Sequence, residues 1–258
     1  MLTDQEVVQL LSGINGVTSH EDGTHGTYVG STPAIDRVGL PAINMQDAAQ
    51  GFRTMENVQV GQSTAFPSLL ALAATWDVDL AYHYAAAVGE EFKIKGANVV
   101  LGPSVNVHRI ARGGRNAEYL SGEDGLLGAV LGPAYVRGVQ SEGVAAVVKH
   151  FVGNSQELER GTESSDIDER TLWEIYYPPF EACAHAGAAS FMCSYNRVDG
   201  KYACHNEKIL KRDLKGTMGF KGWIMSDWWG RPHPSPTRAR HTHSSLCHAP
   251  PPPPPPPP

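Results

Sequence analysis

A parallel α/β fold of barrel type is what this sequence predicts, and three observations predict it. Short apolar runs alternate with longer helix-periodic segments through the first 230 residues, the pattern of repeated βα units. A length of 258 residues with 41% hydrophobic content suits one sizeable core, and an α/β barrel needs roughly 250 residues. Polar residues gather at the ends of the apolar runs, where a parallel barrel builds its active site.

The strand candidates are residues 39–45, 97–101, 144–148, 189–193 and 223–225. Helical patterns lie between them at 77–95, 123–141, 168–186 and 206–214. Asp77, Asp168 and Asn206 suit N-cap positions, while Gly96, Gly187 and Gly216 suit helix ends. Pro178 and Pro179 predict a kink or break in the third helix.

Residues 1–230 form one domain, and residues 231–258 form a disordered tail in this reading. The tail holds 12 of the 19 prolines, nine of them consecutive from Pro250 to Pro258, and cannot build a packed core. Its proline run favours polyproline II and invites reading as a ligand for a proline-binding domain, but a frameshift or misread exon is the preferred origin. His241, His243, Cys247 and His248 resemble a metal cluster by composition only, and no metal or organic cofactor is expected.

Charge and hydropathy exclude several function classes. The net charge of −6 becomes −9 on residues 1–230, because Arg231, Arg238 and Arg240 sit in an acid-free tail; nucleic acid is a poor partner for that surface. No apolar run approaches the ~18 to 20 residues of a membrane span, and the acidic start is unlike an export signal. Compartment is left open. Cys183, Cys193, Cys204 and Cys247 are irregularly spaced without a C-x-x-C pair, which reads as buried or free thiols.

Asp47 follows the first strand candidate, Arg115 and Glu118 the second, and Lys149 with His150 abut the third; Tyr195 abuts the fourth, and Asp227 with Trp228 the fifth. Taken singly, each has an ordinary structural reading: a turn residue, a surface lysine, a core histidine, a helix cap. Taken together they suit a sugar. Retaining hydrolysis of an acetal needs one ionised carboxylate as nucleophile and one protonated carboxyl as acid. Asp227, at the end of a buried strand and followed by Trp228 and Trp229, offers an anion beside an aromatic platform. Arg53 and Arg115 offer planar forks, Lys149 and His150 offer donors, Asp47 can accept from two hydroxyls, and Tyr195 can hold the nucleophile's second oxygen.

These residues fall in ordered blocks that resemble glycoside hydrolase family 3, the β-glucosidase and β-xylosidase family. The blocks are Leu40-Pro41 with Asp47, Gly51 and Arg53; Gly102-Pro103 through Gly114-Arg115-Asn116 and Glu118; Lys149-His150-Phe151 with Asn154; Met192-Cys193-Ser194-Tyr195-Asn196; and Gly222-Trp223 with Ser226-Asp227-Trp228. One departure is Ala48, where the family usually has glycine after the aspartate. The resemblance implies a (β/α)8 TIM-barrel-like catalytic domain with Asp227 as nucleophile. It also implies that Asp47, Arg53, Arg115, Lys149, His150, Met192, Tyr195 and Trp228 hold the sugar to be released.

The family's acid/base glutamate comes from a second α/β sandwich domain. Neither that domain nor an eighth βα unit is found after Gly230, so the barrel is expected to be incomplete at its carboxyl-terminal end. Glu118, Glu123, Asp124 and Glu163 are the internal alternatives for the acid. The expected function is hydrolysis of terminal β-D-glucosyl or β-xylosyl residues, with a β-linked oligosaccharide or glucoside as substrate. The rivals are a catalytically dead carbohydrate-binding fragment and an interaction protein working through its proline tail.

Overall fold

The computed structural model describes residues 1–13, 27–55 and 59–228. Trp229, the 231–258 segment, Cys247 and the tail histidines lie outside them.

The strands are β1 (Gly30–Thr32), β2 (Ile43–Gln46), β3 (Val99–Val100), β4 (Ala145–Phe151), β5 (Ser164–Ser165), β6 (Ser190–Cys193), β7 (Arg197–Val198), β8 (Lys201–Tyr202) and β9 (Trp223–Ser226). The helices are α1 (Asp4–Ser12), α2 (Leu69–Ala73), α3 (Val78–Ile94), α4 (Gly125–Ser141), α5 (Glu169–Thr171) and α6 (Pro178–His185). The main sheet runs β1-β2-β3-β4-β6-β9, and β5, β7 and β8 form a small second sheet. In the main sheet β1 is antiparallel to β2 and every other neighbour pair is parallel.

All five predicted strands form, at slightly shifted bounds. The three longest predicted helices start on aspartate caps: Asp77 Oδ1 accepts from Leu80 N at 2.9 Å, Asp124 Oδ1 from Leu126 N at 2.7 Å and Asp168 Oδ1 from Thr171 N at 3.0 Å. Each such cap contributes about 1 kcal/mol. The third pattern breaks where its prolines require: α5 passes into a π-helical stretch, Leu172–Tyr176, before α6 begins at Pro178. The fourth pattern also forms a π-helix, Lys208–Thr217.

Alternation along the strands sorts apolar side chains into two cores. Val100, Ala146, Val148, Phe191 and Ile224 face outward and meet α3, α4 and α6 in the larger one. There Phe151 stacks on Tyr177 at 5.6 Å and meets Phe180 and Phe191 edge-on at 5.1 and 5.9 Å. Burying each ring stabilises the fold by about 1.5–3 kcal/mol. Met45, Val99, Leu101, Val147, Met192 and Met225 form the smaller core on the sheet's other side. Helices outside and a narrow apolar filling inside are the layering of a barrel.

The sheet curls without closing, β1 and β9 being unpaired with each other, and one side chain spans the gap between its edges: Trp228 Nε1, just past β9, donates to Val29 O, just before β1, at 3.1 Å. The described residues therefore make a curled half-barrel of mixed α/β content rather than a closed eight-stranded one. No helix among them is long and apolar enough to cross a membrane.

The cysteines correct the sequence reading. Cys193 and Cys204 form a disulfide, with Cα atoms 5.2 Å apart, while Cys183 is a free, buried thiol. Their spacing signalled nothing because a hairpin makes them neighbours. β7 and β8 pair antiparallel and bring the chain back beside the end of β6, where Cys204 meets Cys193.

Candidate active site

The carboxyl ends of the parallel strands open on a cavity of about 270 Å³. Its lining includes Asp47, Arg53, Arg115, Lys149, His150, Met192, Tyr195, Asp227 and Trp228, every site residue expected from sequence, and adds Val29, Leu101 and Arg160. Trp229, expected to extend the aromatic platform, lies outside the described residues.

Asp47 leaves the end of β2 into a tight turn in which Ala48 N donates to Gly51 O at 2.9 Å and Gly51 N returns to Ala48 O at 3.1 Å. The turn thus closes with Ala48 in place of the family's usual glycine. Gly51 is the residue it cannot spare: its φ is 125°, and a side-chain Cβ at that position would lie only 2.7 Å from Thr64 O. Arg53 N then donates to Asp47 O at 2.8 Å, and Arg53 Nη1 lies 3.3 Å from Asp47 Oδ2.

Lys149 and His150 lie within β4 rather than beyond it. Consecutive strand residues normally face opposite ways, yet both of these are buried and both reach the site. The pairing of β4 with β6 shifts register between Val148 and Phe151, a bulge-like irregularity of the kind that re-aims side chains beside active sites. Asn106 clamps the same stretch, accepting from His150 N at 2.7 Å and donating to His150 O at 2.9 Å.

An alternating chain of charges surrounds the cavity. Lys149 Nζ lies 3.2 Å from Glu118 Oε1 and 3.7 Å from Asp47 Oδ1. Arg115 grips Glu118 with two donors, Nε at 2.9 Å and Nη2 at 3.1 Å, and lies 3.7 Å from Glu157. Arg160 pairs with Glu157 at 2.9 Å and stacks 4.1 Å above the Tyr195 ring. Burial alone would raise the Glu118 carboxyl, but Lys149 and Arg115 outweigh it and hold the group well below the usual carboxylate range. Glu118 is therefore an ionised counter-charge and unsuited to be the protonated acid.

Asp227 directly follows β9, its N–H donating to Cys193 O at 3.2 Å. The residue is 7% exposed. Oδ1 accepts from Trp228 N at 2.8 Å, while Oδ2 makes no hydrogen bond among the described residues and lies 3.5 Å from His150 Nε2. Burial pushes the Asp227 carboxyl above its ordinary value, against Lys149, the Tyr195 phenol and Arg115, which all favour the anion. His150 is pushed well below the usual imidazole value by burial and by Arg115 and Lys149, so it is neutral near pH 7.

Arg160 escaped the sequence reading because it sits in a polar loop without a neighbouring apolar run, although that loop follows β4 as the other site loops follow their strands. Of the other acids considered, Asp124 caps α4 and Glu163 does not line the cavity.

A parallel α/β half-barrel with a polar, carboxylate-bearing cavity at its strand ends defines the class. The chain belongs to the glycosyl hydrolase family 3 N-terminal domain family, whose sequence pattern it matches over residues 1–234. It is 46% identical over 231 residues to a beta-glucosidase of Rhizobium radiobacter, covering 89% of this chain and 26% of that protein. Among solved structures, beta-glucosidase 3B from Thermotoga neapolitana in complex with glucose superposes with a TM-score of 0.81 at 39% identity, covering 88% of this chain and 33% of that one. DesR, a beta-glucosidase from Streptomyces venezuelae in complex with D-glucose, gives a TM-score of 0.75 at 41% identity over 80% of this chain and 26% of its own. The chain thus spans about a quarter to a third of the length of these relatives.

Proposed function

We propose that this chain carries the nucleophile half of a retaining β-glucosidase site, acting on terminal β-D-glucosyl residues, with β-xylosyl residues as a second substrate class. The observation that carries this reading is Asp227: a buried carboxylate at a strand end, open to a sugar-sized cavity, with one oxygen left without a hydrogen bond. Oδ2 attacks the anomeric carbon, the C–O bond to the leaving group breaks, and a glycosyl ester forms on Asp227. Water then cleaves the ester, so two inversions give net retention. Lys149 and Arg115 sustain the attacking anion in a site where burial opposes it. Asp47, Arg53, Lys149 and His150 supply acceptors and donors for the sugar hydroxyls, and Trp228 supplies an apolar face.

The leaving group also needs a proton. Retention requires the acid about 5–5.5 Å from the nucleophile. Among the described residues the cavity's only other carboxylate is Asp47, held between Arg53 and Lys149. The acid in our reading comes from a second, family-type domain, which together with further βα units completes a (β/α)8 barrel site.

An activated donor tests the nucleophile without needing the acid. Incubation of the chain with 2,4-dinitrophenyl 2-deoxy-2-fluoro-β-glucoside should attach one fluoroglucosyl group to the peptide containing Asp227, seen by mass spectrometry. A label on another carboxylate, or an inverted anomer released from the natural substrate, would overturn the assignment.

A further inference from the structure

Asn154, which belongs to one of the sequence blocks but does not line the sugar cavity, sits just past β4 at 4% exposure. Both polar atoms of its side chain, Nδ2 and Oδ1, are without a hydrogen-bond partner among the described residues. Two more buried atoms share that condition: His108 Nε2, in the segment after β3, and Arg115 Nη1. All three side chains line one small cavity of about 10 Å³, walled also by Asn106, Tyr119 and Glu157, which has Arg115 in common with the sugar cavity.

A buried polar group left unpaired is costly, so orphaned atoms that converge on one space call for a common partner. Size selects that partner first. Roughly 10–15 Å³ is what a single water molecule needs in a cavity, and it is far too little for a sugar or an organic anion. Chemistry selects it again. Arg115 Nη1 can only donate; Nε and Nη2 of the same fork are engaged by Glu118 at 2.9 and 3.1 Å, while Glu157 Oε2, 3.7 Å from Nη1, lies beyond hydrogen-bond reach. Asn154 offers a donor and an acceptor side by side. His108, lowered by burial below the usual imidazole value, is neutral near pH 7 and presents Nε2 as donor or acceptor according to its tautomer. A cation here would be set against the guanidinium, and an anion against Glu157 and Asn154 Oδ1. Water donates and accepts at once.

We propose that this cavity is a binding site for a single water molecule, held by Arg115, Asn154 and His108. The water accepts from Arg115 Nη1, pairs with the Asn154 amide and completes His108 Nε2, about three hydrogen bonds being the usual number for a buried water. It fixes the remaining corner of the Arg115 fork, whose other donors grip Glu118, to the chain that follows β4. A solvent bridge thus ties the loops after β3 and β4, beside the main-chain bond from Glu157 N to Gly113 O at 2.8 Å. The site is independent of the role given to Asp227.

Oxygen-17 relaxation dispersion of the full chain in solution counts water molecules held long enough to tumble with the protein, and it is blind to exchanging side-chain hydrogens. Asn154→Leu, which keeps the side chain's bulk and removes both amide atoms, should hold one such molecule fewer than the wild type. His108→Phe, which alters a second wall of the cavity, should lose the same molecule, and the double variant no more than either. A folded variant of either kind with the wild-type count overturns the proposal. A crystal structure of the wild-type chain answers without any variant: a density peak within hydrogen-bond distance of at least two of the three side chains supports the site. An empty cavity in a map that shows other buried water overturns it, as does a bromide anomalous peak there, which would mark an anion site.

Discussion

Lys149 bears on the charge state of the site's carboxylates more than any other side chain, and its removal should show in two observables. Lys149→Met leaves Glu118 and Asp47 without their shared cation, and breaking a buried pair in this way costs about 3–5 kcal/mol, read from the denaturant midpoint. It also removes the strongest of the groups favouring the Asp227 anion, so the acid limb of kcat/KM in the assembled enzyme should move to higher pH. The two carboxylates respond to pH with opposite sign. Glu118 is lowered on folding, so its contribution is present above the usual carboxylate value and is lost as pH falls toward its folded one. Asp227 is raised, so its contribution is present below its unfolded value and is lost as pH rises through the folded one. At neutral pH the Asp227 anion therefore costs stability. Asp227→Asn, which keeps an oxygen for Trp228 N, should raise stability by about 0.5–2 kcal/mol in thermal melts, while lowering turnover of the assembled enzyme by at least about 10³-fold.

At the scale of elements, the long patterns were legible and the short ones were not. Aspartate caps, apolar periodicity and the proline break all lie within a few neighbouring residues, so a reader of the sequence can see them. β1, β5, β7 and β8 are two or three residues each and, unlike the equally short β3, lie in no apolar run that would mark them. The disulfide depends on the hairpin those strands make, and the shift in β4 depends on pairing with β6; both arise from contacts distant in sequence. The site residues were visible because their strands end in groups that a packed core does not want. Arg160 was not, because it lies in a polar loop with no apolar run beside it. Helix packing gives an element-scale prediction. Gly138 in α4 lets α3 approach so closely that a Cβ there would meet the Tyr82 carbonyl and lie 2.8 Å from Ala85 Cβ. Gly138→Ala should therefore destabilise by about 1–3 kcal/mol, shifting the urea midpoint without changing its slope.

For the whole molecule, the contact between Trp228 and Val29 joins the two edges of the curled sheet and forms part of the cavity wall. Trp228→Phe keeps most of the apolar face but removes the indole donor. It should cost about 1 kcal/mol in chemical unfolding, together with a larger relative loss in affinity for a glucose-type ligand, measured by calorimetry. The cavity's charge arrangement has a consequence for which molecules can occupy it. Arg53, Lys149, Arg115 and Arg160 are matched one for one by Asp47, Glu118, Glu157 and ionised Asp227, so the ring is electrically neutral while His150 is uncharged. A neutral guest upsets nothing; a uronate or an amino sugar adds an uncompensated charge in a place shielded from counter-ions. Exchanging one rim cation for a neutral residue, Arg53→Gln for instance, would leave an excess of one negative charge and tilt the vacant cavity toward cationic imino sugars, a change of preference obtained without altering its shape.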